Sequence, residues 1–216
     1  LLDVIADAAK DAIGKMKKAQ PAAFMHPTIA KRITPGSTQD DLALIGDCDW
    51  IIEAIIEKPD IKQDLYRSLA PHLKPKAIVS SNTSTLPLRV LTEGMDDDLR
   101  KRFFITHFFN PPRYMRLLEI VAGPDADPDM ESRVSDFVDA QMGKSVVTAK
   151  DTPGFIANRI GTFWIQAAVV EAFKGTVTVE EADTAIGRAL GIPKTGIFGL
   201  MDLVGIDLMP LVSKSL

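Results

Sequence analysis

Between Asp49 and Lys150, short apolar runs alternate with amphipathic stretches, and no other feature of the 216 residues restricts the fold as much. DWIIEAII, KPKAIVSS, RFFITHFF, RLLEIVA and SVVTAKD have the length and the Ile, Val and Phe content of strands. The stretches between them read as helices. Pro59 and Asp60 open one through IKQDLYRSLAPHL, LPLRVLTEG is a short one, and MESRVSDFVDAQMGK carries apolar positions at 134, 137 and 138. Strand, helix, strand in that order requires right-handed crossovers, so the expectation is an α/β chain with a mostly parallel sheet. Upstream, residues 7 to 19 form an amphipathic helix with Ala8, Ile13 and Met16 near one stripe, and Pro21 ends it. TQDDLAL is expected to open a further helix with a Thr cap and acids in its first turn.

From Thr152 the pattern changes to long helical stretches: TPGFIANRIGTFWIQAAVVEAF, VEEADTAIGRALG and FGLMDLVGIDLMPLV. The boundary is expected near Lys150, with an α/β domain over 1–150 and an all-helical domain over 151–216. That second part is richer in Leu, Ile, Val and Met than three or four helices usually bury alone, which predicts a homodimer through it.

Composition removes several function classes. A formal net charge of -4 gives no global attraction to nucleic acid or anionic membrane. Cys48 is the only cysteine, so no intrachain disulfide can form and nothing resembles a thiolate metal site, and a reducing, cytoplasmic setting is the expectation. No apolar run reaches about 18 residues, the length of a membrane helix. The start LLDVIADAAK has no initiating Met and no signal-peptide pattern, and with the ending LVSKSL it reads as a chain clipped at its N-terminus and at its C-terminus.

Ligands of open parallel sheets sit beyond the carboxyl ends of the strands, which singles out three polar groupings. Glu57 follows WIIEAII, Ser81 to Ser84 follow AIVS, and His107 with Asn110 lies in FITHFFNPP. The phenylalanines flanking His107 disfavour the imidazolium and leave a neutral base near physiological pH. Pro111 and Pro112 must end that strand, and the returning RLLEIV could bring Glu119 beside His107, where a carboxylate would fix the tautomer. Plainer readings stand beside these. His107 could be a structural strand histidine, Glu53 is read as lying on a solvated strand end, and the hydroxyls of SNTST suit a helix cap as well as a site. Asn158 falls inside the helix expected from Thr152, among Phe155, Ile156 and Ile160, and needs either an interhelical partner or a ligand.

SSNTSTLPL, THFFNPPRYMRLLEIV and KDTPGFIANRIG together resemble the L-3-hydroxyacyl-CoA dehydrogenase family across nearly the whole chain, and HFFNPPRYMRLLEIVAGPD is closest to its bacterial branch, where the module can be fused to an enoyl-CoA hydratase-like region. The resemblance implies a Rossmann-like domain followed by a helical domain, NAD as cofactor, and oxidation of (S)-3-hydroxyacyl-CoA to 3-oxoacyl-CoA in fatty-acid β-oxidation. It makes His107 the base for the 3-hydroxyl proton and Glu119 its partner. Ser84 and Asn158 would bond the substrate oxygens, and Glu57, Lys62, Asn82 and Asn110 would lie near the nicotinamide end. Lys17 and Lys18 match a helix that offers basic contacts to CoA phosphates, although a solvated helix face explains them equally.

One departure stands out. No GxGxxG occurs in the sequence, although the family's first strand and helix carry that phosphate-binding loop. LLD then reads as the tail of the family's second strand, with Asp3 where an acid binds the adenosine ribose. An N-terminal segment, and a loop after Asp3, are expected to be missing from the chain. Two other functions remain open: a fragment that folds, dimerises or binds acyl-CoA without catalysis, and a related dehydrogenase of a small hydroxy acid.

Overall fold

The computed structural model of the protein describes residues 1–191 and 195–207. Its seven strands among these residues are β1 (Leu2–Asp3), β2 (Gly36–Ser37), β3 (Trp50–Glu53), β4 (Ile78–Ser81), β5 (Phe103–Phe108), β6 (Leu117–Ala122) and β7 (Ser145–Thr148). The α-helices are α1 (Ala6–Lys18), α2 (Pro59–Leu69), α3 (Leu88–Leu91), α4 (Asp97–Arg100), α5 (Pro128–Met142), α6 (Ala157–Phe173), α7 (Val179–Ala185) and α8 (Phe198–Val204). The chain divides into two compact units, 1–151 and 152–216.

In the first unit, five strands form a sheet in the order β3-β4-β5-β6-β7. Neighbours are parallel except β5 and β6, which run antiparallel. The NPP turn accounts for that reversal, because a two-proline break leaves too few residues for a crossover and the chain returns beside the strand it left. Both faces are covered, so the central strands are apolar on both sides. Phe104, Leu118 and Ile120 pack with Val134 and Val138 of α5 on one face, while Phe103 meets Tyr66 of α2 edge-on at 4.9 Å on the other. Asp127 caps α5, Pro128 opens it, and Gly143, at φ 64°, closes it in the left-handed region that suits glycine.

The N-terminal region departs from expectation. β1 pairs in parallel with β2 in a separate two-stranded sheet. A Cβ at Gly36 would come within 2.8 Å of Leu2 and 2.9 Å of Asp41, so only glycine lets the two strands approach. TQDDLAL does not form a Thr-capped α-helix. Its acids instead fold back on Ser37, whose amide donates to Asp41 at 2.8 Å, and a 3-10 helix follows over Leu42–Asp47.

In the second unit the long helix starts at Ala157, because Gly154 (φ 72°) and the buried Phe155 (φ 46°) both adopt left-handed conformations. A non-glycine residue held there costs about 1–2 kcal/mol, which its burial offsets. Thr178 and Glu181 form a reciprocal capping box at the start of α7. The Asp183 carboxylate accepts from the amides of Phe198 and Gly199 and so caps α8. The expected last helix ends with Val204 before Gly205, and its continuation from residue 208 lies outside the described residues.

Candidate active site

At the carboxyl edge of β3, β4 and β5 the polar groups converge. Register pairs His107 of β5 directly with Glu119 of β6. His107 Nδ1 lies 2.8 Å from Glu119 Oε2, with the side chains 7% and 1% exposed. A carboxylate at that nitrogen fixes the ring's tautomer and orientation and stabilises the protonated ring when it forms. Phe109 stacks obliquely on the imidazole at 4.4 Å.

One strand over, the 82–86 segment forms a hydrogen-bonded turn. The Asn82 side-chain oxygen accepts from the Phe108 amide at 2.9 Å, tying the end of β4 to the residue after His107. Thr83 Oγ1 accepts from the Thr85 and Leu86 amides. The run is therefore not a helix cap: α3 begins later with Pro87 as its cap, and the Leu88 amide is bonded by Asp151.

Glu57, beyond β3, is drawn into this turn. Its Oε1 accepts from the Thr83 hydroxyl, from the Thr85 hydroxyl at 3.0 Å and from the Ser84 amide at 3.3 Å. Partial burial pushes the Glu57 carboxyl up, but the Thr83 bond, the Lys62 charge and the Thr85 bond outweigh it, and the net pKa lies below its ordinary value.

Two expectations change here. Glu53 is not on a solvated strand end. It is 3% exposed and accepts from Lys62 (2.6 Å), Tyr66 (2.6 Å), Ser81 (2.7 Å) and the Ile55 amide (2.6 Å). Strand β3 stops at Glu53 because that carboxylate turns the chain through the Ile55 amide, so Ile55 and Ile56 lie outside the sheet. Lys62 is 1% exposed, its ammonium taken by Glu53, the Ile55 carbonyl and Glu57 at 3.3 Å, so it meets the edge only through Glu57. Burial and the adjacent Glu53 carboxylate push the Tyr66 pKa far up, which keeps its hydroxyl a donor.

Residues 110–115 are fastened from two sides. Lys144, 5% exposed, donates to the carbonyls of Pro112 and Met115 and lies over the Phe108 ring at 5.9 Å. Its burial lowers its pKa. Arg113 donates to the carbonyls of Ala22 and Phe24 at 2.6 and 2.7 Å, and Tyr114 to Ala22 at 2.9 Å. Sequence reasoning misplaced Glu53 and passed over Tyr66, Arg113 and Lys144. Lys62, Tyr66 and Leu69 share one stripe of α2 at helical spacing, and a lysine in an otherwise apolar stripe was the available signal.

The remaining expected residues are placed as follows. Asp3 ends β1, exposed, with Oδ1 accepting from the Val4 amide. Lys17 and Lys18 are exposed at the end of α1, and Asn110 is exposed beyond β5. Asn158 sits in the first turn of α6 in the second unit, half-buried, and its neighbours Ile156 and Ile160 are exposed. Among the described residues no cluster of His, Cys, Asp and Glu could hold a metal ion, and no helix is long and apolar enough to cross a membrane.

Comparison with known proteins meets this geometry. Residues 1–152 match the family model described as 3-hydroxyacyl-CoA dehydrogenase, NAD binding domain, and residues 154–216 match the C-terminal domain of the same family. The chain is 44% identical over its full length to a Rickettsia felis protein carrying the name of a fatty acid oxidation complex trifunctional enzyme, of which it covers 31%. It is 41% identical, over 96% of its length, to a Deinococcus radiodurans protein named probable 3-hydroxyacyl-CoA dehydrogenase, of which it covers 60%. The chain thus spans between about a third and three fifths of these relatives. Among solved structures, M. tuberculosis FadB2 superimposes with a TM-score of 0.84 at 26% identity, over 99% of this chain and 76% of that one. With its mostly parallel Rossmann-like sheet and helical C-terminal part, this chain belongs to the 3-hydroxyacyl-CoA dehydrogenase family.

Proposed function

We propose that the protein oxidises (S)-3-hydroxyacyl-CoA to 3-oxoacyl-CoA with NAD, as a step of fatty-acid β-oxidation. The observation that carries this reading is the His107–Glu119 pair, 2.8 Å apart on paired strands at the edge where ligands of such sheets bind. His107 removes the hydroxyl proton, and Glu119, on the opposite ring nitrogen from the one facing the substrate, stabilises the imidazolium. Ser84 is our assignment for the donor that holds the carbonyl as it develops, because a preorganised donor does this without reorganisation, and Asn158 is assigned to the substrate oxygens. NAD, when bound, accepts the hydride from the carbon that carries the hydroxyl.

The residues suit that cofactor at one end. Four donors already reach Glu57, three of them on Oε1, so Oε2 retains capacity to accept from a ligand. Asn82 accepts from the amide of Phe108, the residue after His107, Asn110 follows three residues after His107, and the exposed carboxylate of Asp3 is available to ribose hydroxyls. The pyrophosphate end has no glycine-rich loop in these 216 residues. Lys17 and Lys18 are our assignment for CoA phosphates, and a homodimer is proposed through residues 152–216.

The reading is tested in the full-length protein by following NADH absorbance with acetoacetyl-CoA. His107→Ala is expected to lower kcat/KM roughly a hundred- to ten-thousandfold. Undiminished turnover in that variant would remove the assigned base. Activity on a small hydroxy acid without CoA would move the substrate assignment, and binding without turnover would leave an acyl-CoA-binding fragment.

A further inference from the structure

Behind Glu57 lies a second cluster of charges, apart from the His107–Glu119 pair. Two carboxylates, Glu53 and Glu57, share one ammonium, that of Lys62, at 2.6 and 3.3 Å. Four donors converge on the two oxygens of Glu53, which fill its capacity to accept hydrogen bonds. Tyr66 and Ser81 are neutral donors, so they fix Glu53 without altering the charge balance. One ammonium between two carboxylates leaves the cluster short of one positive charge, and Glu57 is the member that presents it at the carboxyl edge, with 38% of its side chain exposed. The hydroxyls of Thr83 and Thr85 orient Glu57 but carry no charge to cancel it.

Glu57 is joined to the catalytic strand in a short chain of contacts: Glu57 to Thr83, Thr83 beside Asn82, and Asn82 to the amide of Phe108, next to His107. By strand spacing, β3 lies about 10 Å from β5. A hydride acceptor placed to serve the carbon whose hydroxyl His107 deprotonates therefore falls within the field of this carboxylate. Oxidised nicotinamide carries a positive ring charge and reduced nicotinamide does not.

We propose that Glu53 is a positioning residue that never touches the cofactor: by sharing the Lys62 ammonium it keeps Glu57 from being fully neutralised, and the charge left at the edge shifts the site's relative affinity toward oxidised over reduced nicotinamide. The inference rests on the NAD-dependent reading above and adds to it a source for the cofactor's redox preference. Lys62 acts in it as a buried counter-ion, not as a ligand contact.

The test measures the dissociation constants of NAD and NADH in the full-length protein by calorimetry and NADH fluorescence, without substrate or turnover. Glu53→Gln removes the charge that holds Lys62, the ammonium is then matched by Glu57 alone, and the preference for the oxidised form is expected to fall about threefold or more. Tyr66→Phe removes a hydrogen bond and no charge, and is expected to leave the ratio of the two constants unchanged even if both rise. An unchanged ratio in a folded Glu53→Gln protein overturns the proposal, and so does an equal loss of preference in Tyr66→Phe. Should Glu53→Gln fail to fold, Glu57→Gln neutralises the cluster from its exposed side and must lower the preference in the same direction, or the proposal fails. A wild-type protein that binds neither nucleotide would defeat the NAD reading itself, and the inference with it, an outcome distinct from binding both with an insensitive ratio.

Discussion

The sheet unit and the helical unit treat their apolar residues differently. In the first, Phe103, Phe104, Ile105, Leu118, Ile120 and Val121 are at most 1% exposed, covered on one face by α5 and on the other by α2. In the second, seventeen-residue α6 has one buried residue, Ala168, while Ile160, Phe163 and Phe173 are 64%, 76% and 87% exposed. A layered sheet supplies its own partners for both faces, whereas a few helices leave a stripe to be covered from elsewhere. Polar groups follow the same division. Buried charges in the sheet unit are held by several donors or acceptors each, as at Glu53, and the helical unit relies on caps such as Thr178 and Asp183.

Four measurements sharpen or break this contrast. The largest effect is expected from Phe104→Ala, which opens a cavity in the sheet core and should cost about 3–5 kcal/mol in chemical denaturation. A much smaller loss would mean that the two units are packed alike. Next, if the exposed stripe of α6 is where two copies meet, Phe163→Glu lowers stability by about 2–3 kcal/mol at a concentration near a hundred times the dimer dissociation constant. Light scattering should then give a monomer mass for the variant and a dimer mass for the parent. A monomeric parent would sink the dimer. Thr178→Ala, which deletes one half of the capping box, should cost about 1 kcal/mol and loosen α7 alone, as judged by amide exchange.

The smallest effect is the pH dependence of Glu57. Its pKa is depressed in the folded protein, so its contribution is present above the ordinary value of 4.5 and is lost as pH falls through the lowered one. The stability difference between the parent and Glu57→Gln should therefore be constant near neutrality and shrink only in acid. A difference that grows on acidification would contradict the direction of the shift.

The His107–Glu119 pair was legible because two apolar strands joined by a proline turn have one way to return, and the register follows from the turn. The convergence of Glu57 with the SNTST run was legible for a related reason, since strand ends in a parallel sheet share one edge. Glu53 was not, because its burial depends on a lysine nine residues and a tyrosine thirteen residues further on, both brought over it by α2. Pairing of β1 with β2 was hidden too. Two-residue strands carry no alternation to read, and Gly36 signals a close approach only once Leu2 is known to be its neighbour.

Burial of two lysines also divides the protein's amines into separate chemical populations. Acylating or reductively methylating reagents attack the unprotonated amine and need room to approach it, so Lys17 and Lys18 should be labelled within the first exposure. Lys62 and Lys144, enclosed among carboxylates and carbonyls, should acquire label only as the surrounding structure opens. Mass spectrometry of their peptides over time would then serve as a clock for the opening of the carboxyl edge and of the 110–115 turn, each timed by its own lysine.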